Sequence, residues 1–172
     1  MKWFFSILAC TVLIGVNGCE QQVSQQPSPA PVDSAKIREE LTKAQYEYAQ
    51  AWCNMDMEAI SRIWSHDDDI TLWGPAERDR VKGWAGVRAW YEAAMAPMAK
   101  VDFKIHDLLI KVSEDGTSAV VTYYVENDYV DKDGNAGKMT PRVTVVKMKQ
   151  NGEWKQVHGG ASFSIAEVNA MK

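Results

Sequence analysis

Cysteine is scarce in this chain, and so is charge of one sign. Only three of the 172 residues are Cys and three are His. They are too few and too scattered for a structural zinc site, which needs four clustered ligands. Lys and Arg number 19 against 23 Asp and Glu, a formal net charge of −4. That balance lacks the basic excess a nucleic-acid surface requires, so no nucleic-acid partner is expected. No apolar run reaches the roughly 20 residues of a membrane-spanning helix. What is present, 46% hydrophobic and 24% charged residues, is the composition of an ordinary globular domain at one-domain length.

The start of the chain reads as an address. Lys2 precedes an uncharged, largely apolar run, Trp3 to Val16, in the arrangement of a secretory signal. The run ends in Val16-Asn17-Gly18-Cys19, which resembles a bacterial lipobox, although Asn17 stands where Ala or Ser is usual. The resemblance implies cleavage before Cys19 and lipid attachment to it, making 1–18 a signal peptide. Cutting at Cys10 instead would leave too short an apolar region. Acyl chains contribute ~0.8 kcal/mol per buried methylene and would anchor the protein to a membrane surface. Glu20, where inner-membrane retention uses Asp, favours the outer membrane, facing the periplasm, of a Gram-negative cell envelope. Cys53 is then the one free thiol, and no intramolecular disulfide is expected. Residues 19–32 follow as the lipidated Cys and a Gln/Pro/Ser tether, with too little apolar surface to fold. Extended, the tether reaches roughly 40 Å.

The folded part is expected over 33–166, with 167–172 as a tail. Asp33 or Ser34 caps a first helix whose stripe is Ile37, Leu41, Ala44, Tyr48, Ala51/Trp52 and Met55. Asn54 or Asp56 caps a second, with Met57, Ile60 and Ile63/Trp64 inward. Residues 69–73 read as a strand, Glu77 to Lys82 as a short second one, and Trp84 to Met95 as a third helix. Asp115-Gly116, Asp133-Gly134 and Asn151-Gly152 are hairpin-turn dipeptides. They predict four antiparallel strands near 100–113, 117–131, 138–149 and 153–164. A parity change at His106-Asp107 predicts a bulge there. Pro141 suits an edge or a strand start. Helices first and a curved meander after them make an α+β architecture.

Three segments carry a family resemblance: Ala51 to Ile60, Gly83 to Tyr91, and Gly152-Glu153-Trp154-Lys155-Gln156-Val157-His158. Together they resemble the SnoaL-like domains of the nuclear-transport-factor-2-like (ketosteroid-isomerase-like) superfamily, over roughly Ala35 to Phe163. The resemblance implies a cone-shaped, cystatin-like fold, with three N-terminal helices packed on a strongly curved antiparallel sheet. It also implies a pocket for a small-molecule ligand, and often a homodimer.

Isomerases of that superfamily place a carboxylate base near the end of the first strand, where this chain has Thr71-Leu72-Trp73-Gly74 and no carboxylate. Counting back from Asp56, Tyr48 falls where those isomerases keep a Tyr. His158, with an ordinary pKa near 6.5, is the candidate catalytic group for cyclase-type chemistry. Arg142 on the neighbouring strand could clamp a carboxylate. Either could equally be structural: His158 bonded to nearby backbone, Arg142 paired with Glu126 or Asp128. Trp73, Trp90 and Tyr123 are the expected ligand-stacking aromatics. No cofactor and no metal is expected: His66 to Asp69 are adjacent residues that do not converge on one ion, and His106 reads as surface. The sequence supports first a ligand-binding domain for a small apolar or weakly anionic molecule. An isomerase, cyclase or hydrolase using His158 with Tyr48 or Arg142 comes second. A non-catalytic dimeric module, pairing through an apolar outer sheet face, comes third.

Overall fold

The computed structural model describes residues 32–170. The expected leader, lipobox Cys19 and most of the expected tether lie outside them. Helix α1 (Ser34–Cys53) begins at Asp33, whose carboxylate accepts the Lys36 amide at 3.0 Å. Asn54 ends α1, Met55 takes a left-handed φ of 52°, and Asp56 starts α2 (Met57–Ile63) by accepting the Ala59 amide at 2.9 Å. Strands β1 (Thr71–Trp73) and β2 (Val81–Lys82) form a small hairpin before α3 (Gly83–Met95). Then come β3 (Met98–Val112), β4 (Ser118–Asp131), β5 (Ala136–Met139), β6 (Arg142–Gln150), β7 (Glu153–Ser162) and a short α4 (Ile165–Ala170).

The strands form one sheet in the order β2-β1-β7-β6-β4-β3, with β5 beside β4. The late strands are the antiparallel meander that the turn dipeptides predict. At Asn151-Gly152 both residues have positive φ, the demand of a tight two-residue hairpin. The bulge falls where the parity change puts it, between His106 and Leu109, with Asp107 at φ 52°. Two corrections apply. The sheet is mixed, because β1 pairs parallel with β7, Thr71 opposite His158. The strand expected over 138–149 is also interrupted. Pro141, with no amide proton to give a ladder, separates β5 from β6, and its carbonyl accepts the Val125 amide at 3.0 Å.

Three helices pack on this curved sheet, burying Tyr48, Trp52, Ile60, Trp64, Val87 and Tyr91 among others. On the sheet side Val121, Tyr123, Val125 and Val145 share the inward parity. Each fully buried side chain of this size contributes about 1.5–3 kcal/mol. Buried polar residues interrupt the apolar layers, Gln45 and Lys147 among them. Gln45, rather than the expected Ala44, is fully buried on α1, and Lys147 is buried on β6 between Ala119 and Gln156. The Lys147 ammonium makes no hydrogen bond or ion pair among the described residues, and burial pushes its pKa down to about 8.

A buried amine of this kind opposes folding while it is charged. Between pH 8 and 10.5 the unfolded chain holds the Lys147 proton and the folded chain has released it. Stability therefore rises with pH across that window, by at most about 3 kcal/mol. The buried tyrosines, raised by burial, offset the gain above pH 10. Urea unfolding at pH 7 to 10 is expected to show the climb in the wild type. K147M is expected to be more stable at pH 7 and flat across the range.

Candidate functional site

Helix positions set the inner wall of the site. Tyr48 and Trp52, one turn apart on α1, face Tyr91 on α3. The Tyr48 and Tyr91 hydroxyl oxygens lie 2.8 Å apart, and the Trp64 indole N–H donates to Tyr91 at 3.1 Å. An indole nitrogen only donates, so the Tyr91 oxygen accepts. Either hydroxyl can donate in the 2.8 Å contact between Tyr48 and Tyr91, because a phenolic oxygen accepts as well as donates. Burial raises the pKa of both phenols, so both stay protonated. Around this junction the aromatics interlock. Trp52 stacks on Phe103 with ring centres 5.7 Å apart and planes 7° apart. Tyr48 meets Phe103 edge-on at 6.0 Å, and Trp90 meets Tyr91 edge-on at 5.1 Å.

Between this wall and the sheet lies a cavity of about 250 Å³. It exists because β6 and β7 present small or slender residues there: Val143 and Val145, then Gly159, Gly160 and Ala161. A cavity of this order suits a small molecule. Among the described residues, three buried polar atoms on the wall have no hydrogen-bond partner: the Trp52 indole nitrogen, Asn127 Oδ1 and Gln156 Oε1.

The loop after β1 closes one side. Glu77 accepts the Trp90 indole N–H at 2.6 Å, and its carboxylate lies over Gly74. A Cβ at Gly74 would collide with that carboxylate and with the Trp90 ring. Glycine is therefore required for Glu77 to reach the cavity wall. The sequence places Glu77 at the start of an expected short strand, Glu77 to Lys82, and gives it no role at the site, whereas β2 begins only at Val81. Thus a carboxylate does reach this wall, four residues past Trp73.

Of the residues expected at the site, the structure brings four together on the cavity wall: Tyr48, Trp73, Trp90 and Tyr123. Arg142 and His158 are not on it. Arg142 is exposed and donates to the Phe163 carbonyl at 3.2 Å; Glu126 and Asp128, its expected partners, pair with Lys104 and Lys138 instead. Nδ1 of His158 lies 2.8 Å from Thr71 Oγ1, and burial lowers the His158 pKa. The two residues lie on adjacent strands, but His158 stands opposite Val146, four positions along β6 from Arg142, about 13 Å. Alternation turns His158 to the other sheet face. A Cβ at Gly159 would point at Leu72 and Trp64, whereas one at Gly160 would meet His158. His106 is exposed, 3.8 Å from Glu126, and the Cys53 thiol accepts the Phe103 amide at 3.2 Å.

A family profile described as a SnoaL-like domain matches residues 42–166. Among curated protein sequences none matches. Similar solved structures include a nuclear transport factor 2-like superfamily protein from Salmonella enterica serovar Typhimurium. It is 22% identical, with TM-score 0.68, covering 74% of this chain and 91% of that one. A protein of the same fold and unknown function from Pseudomonas putida KT2440 has 21% identity and TM-score 0.65, over 78% and 92% of the two chains. The association domain of C. elegans CaMKII has 19% identity and TM-score 0.57, over 75% and 96%. These likenesses establish the fold.

The tyrosine junction gives an ordered expectation. Y91F strands both the Trp64 indole and the Tyr48 hydroxyl, at about 1–3 kcal/mol for each buried group left unpaired. Y48F leaves the Trp64 bond to Tyr91 intact. Urea denaturation is expected to show Y91F losing more stability than Y48F, by about 1–2 kcal/mol. Equal losses would mean that the Trp64 bond contributes nothing.

Proposed function

The chain belongs to the SnoaL-like domain family, and from that premise we propose that it is a lipid-anchored cell-envelope protein that binds a small, flat, apolar molecule in its cavity. The carrying observation is the cavity itself: aromatic and aliphatic walls, about 250 Å³ of space, and isolated unpaired polar atoms on an otherwise apolar surface. Ligand sites are built this way, with apolar area giving affinity and a few polar groups giving orientation. The anionic character expected of the ligand rested on Arg142 and His158, which lie away from this wall, and it is dropped.

The anchoring half of the proposal rests on Val16-Asn17-Gly18-Cys19 and on the Gln/Pro/Ser stretch that follows. Envelope location, facing the periplasm from the outer membrane of a Gram-negative cell, goes with it. Pairing as a homodimer is part of the same reading. Val120, Tyr124 and Met148 leave apolar surface exposed on the outward parity of β4 and β6, and one similar structure is, by its name, an association domain. An isomerase, cyclase or hydrolase remains the second reading. One observation favours it: the Glu77 carboxylate and the Tyr48 hydroxyl stand on the same cavity wall, a base and a phenol.

Two experiments test the proposal. Calorimetric titration of the full-length protein with naphthalene-1-methanol is expected to give one site per chain. A161F, which fills the cavity from β7, is expected to abolish it. No heat in the wild type, or undiminished binding by A161F, would remove the ligand site from this cavity. Separately, metabolic labelling with radioactive palmitate in a Gram-negative host is expected to mark the wild type and not C19S. An unlabelled wild type refutes the anchor and leaves the cavity reading untouched.

A further inference from the structure

Charge on the cavity wall is of one sign. Of all the residues lining it, Glu77 is the one Asp, Glu, Lys, Arg or His. Its placement is built in. The Trp90 indole holds one carboxylate oxygen at 2.6 Å, and the missing side chain at Gly74 makes room for the other. That second oxygen has no hydrogen-bond donor among the described residues. Arg78 and Arg80 follow on the same exposed loop, yet neither forms an ion pair with Glu77. The carboxylate therefore stands beside an apolar cavity with no counter-charge from the protein.

The neighbouring surfaces are aromatic and aliphatic, and of the three unpaired polar atoms on them two accept, Asn127 Oδ1 and Gln156 Oε1, and one donates, the Trp52 indole. Trp73, Trp90, Trp52 and Phe103 line the cavity, and aromatic rings of this kind attract cations over their faces. Asn127, buried to about nine-tenths and inward-facing on β4, holds an unpartnered carbonyl oxygen on the wall, an acceptor waiting for a donor. An anionic head group would meet a carboxylate here and no compensating cation. A neutral one would leave that carboxylate unpaired beside it.

We propose that the ligand of this cavity is an organic cation, a flat apolar body bearing a protonated amine that pairs with Glu77 at the rim. The proposal rests on the ligand-binding reading of the cavity and specifies its chemistry.

Three probes with one skeleton test it at pH 7 on the full-length protein by calorimetry: 1-naphthylmethylamine, naphthalene-1-methanol and 1-naphthoic acid. The amine is expected to bind about fivefold or more tightly than the alcohol, and the acid more weakly than either. E77Q, on an exposed loop and checked for an unchanged melting temperature, is expected to bring amine and alcohol within about twofold of each other. W90F, which leaves Glu77 in place but removes its anchor, is expected to give an intermediate ratio. Equal binding of amine and alcohol by the wild type overturns the proposal while leaving the cavity a ligand site. So does an amine preference that survives E77Q, or an acid that binds tightest. Absence of binding by all three overturns both.

Discussion

The hydroxyl of Tyr91 is the point on which the helical layer turns. It accepts from Trp64 at the end of α2 and bonds to Tyr48 in the middle of α1, and it belongs to α3. One oxygen thus ties three helices to one another in the buried interior. Shape alone would let aromatic side chains slide past each other by an ångström or more. The directional bonds remove that freedom, and the ring contacts of Trp52 with Phe103, Trp90 and Tyr91 follow from the positions they set. The cavity is the space left when this rigid wall faces a sheet whose residues have been kept small.

That relation also explains the distribution of polarity. The wall has one carboxylate, and it arrives from a loop rather than from the sheet or helices. A carboxylate placed deeper would need a buried partner, and the deep positions are occupied by phenols whose protons burial holds in place. Lys147 is the exception in the core, and its depressed pKa reflects the cost of leaving an amine there without a partner.

What the sequence made legible was local. Asp33 and Asp56 announce the helix starts because capping is settled within three residues. The turn dipeptides announce the meander because hairpin geometry is settled within two. Tyr48, Trp73, Trp90 and Tyr123 could be placed at the cavity because parity and periodicity choose the face. The misplaced residues depended on pairings between distant segments. Nothing near Thr71 says that it will lie parallel to His158. The pairing of Arg142 with His158 failed on register: β6 and β7 are neighbours, but Arg142 stands opposite Ser162 and His158 opposite Val146, four positions away. Glu77 was invisible for another reason. It lies in a polar stretch expected as a strand, Glu77 to Lys82, and nothing in the sequence says that Gly74 will clear the way for its side chain. Gln45 and Lys147 were hidden because polarity is the signal for the outside.

The parallel pairing of β1 with β7 has a temporal side. Thr71 and His158 are 87 positions apart, and β7 lies between β1 and the rest of the meander in the strand order. The small hairpin of β1 and β2, with the segment around Trp64 that bridges to Gln156, has no sheet to join until nearly the whole chain exists. Contacts of such long range form late and slowly. The β1–β2 hairpin therefore takes its place in the sheet only after β7, the last strand, has been made.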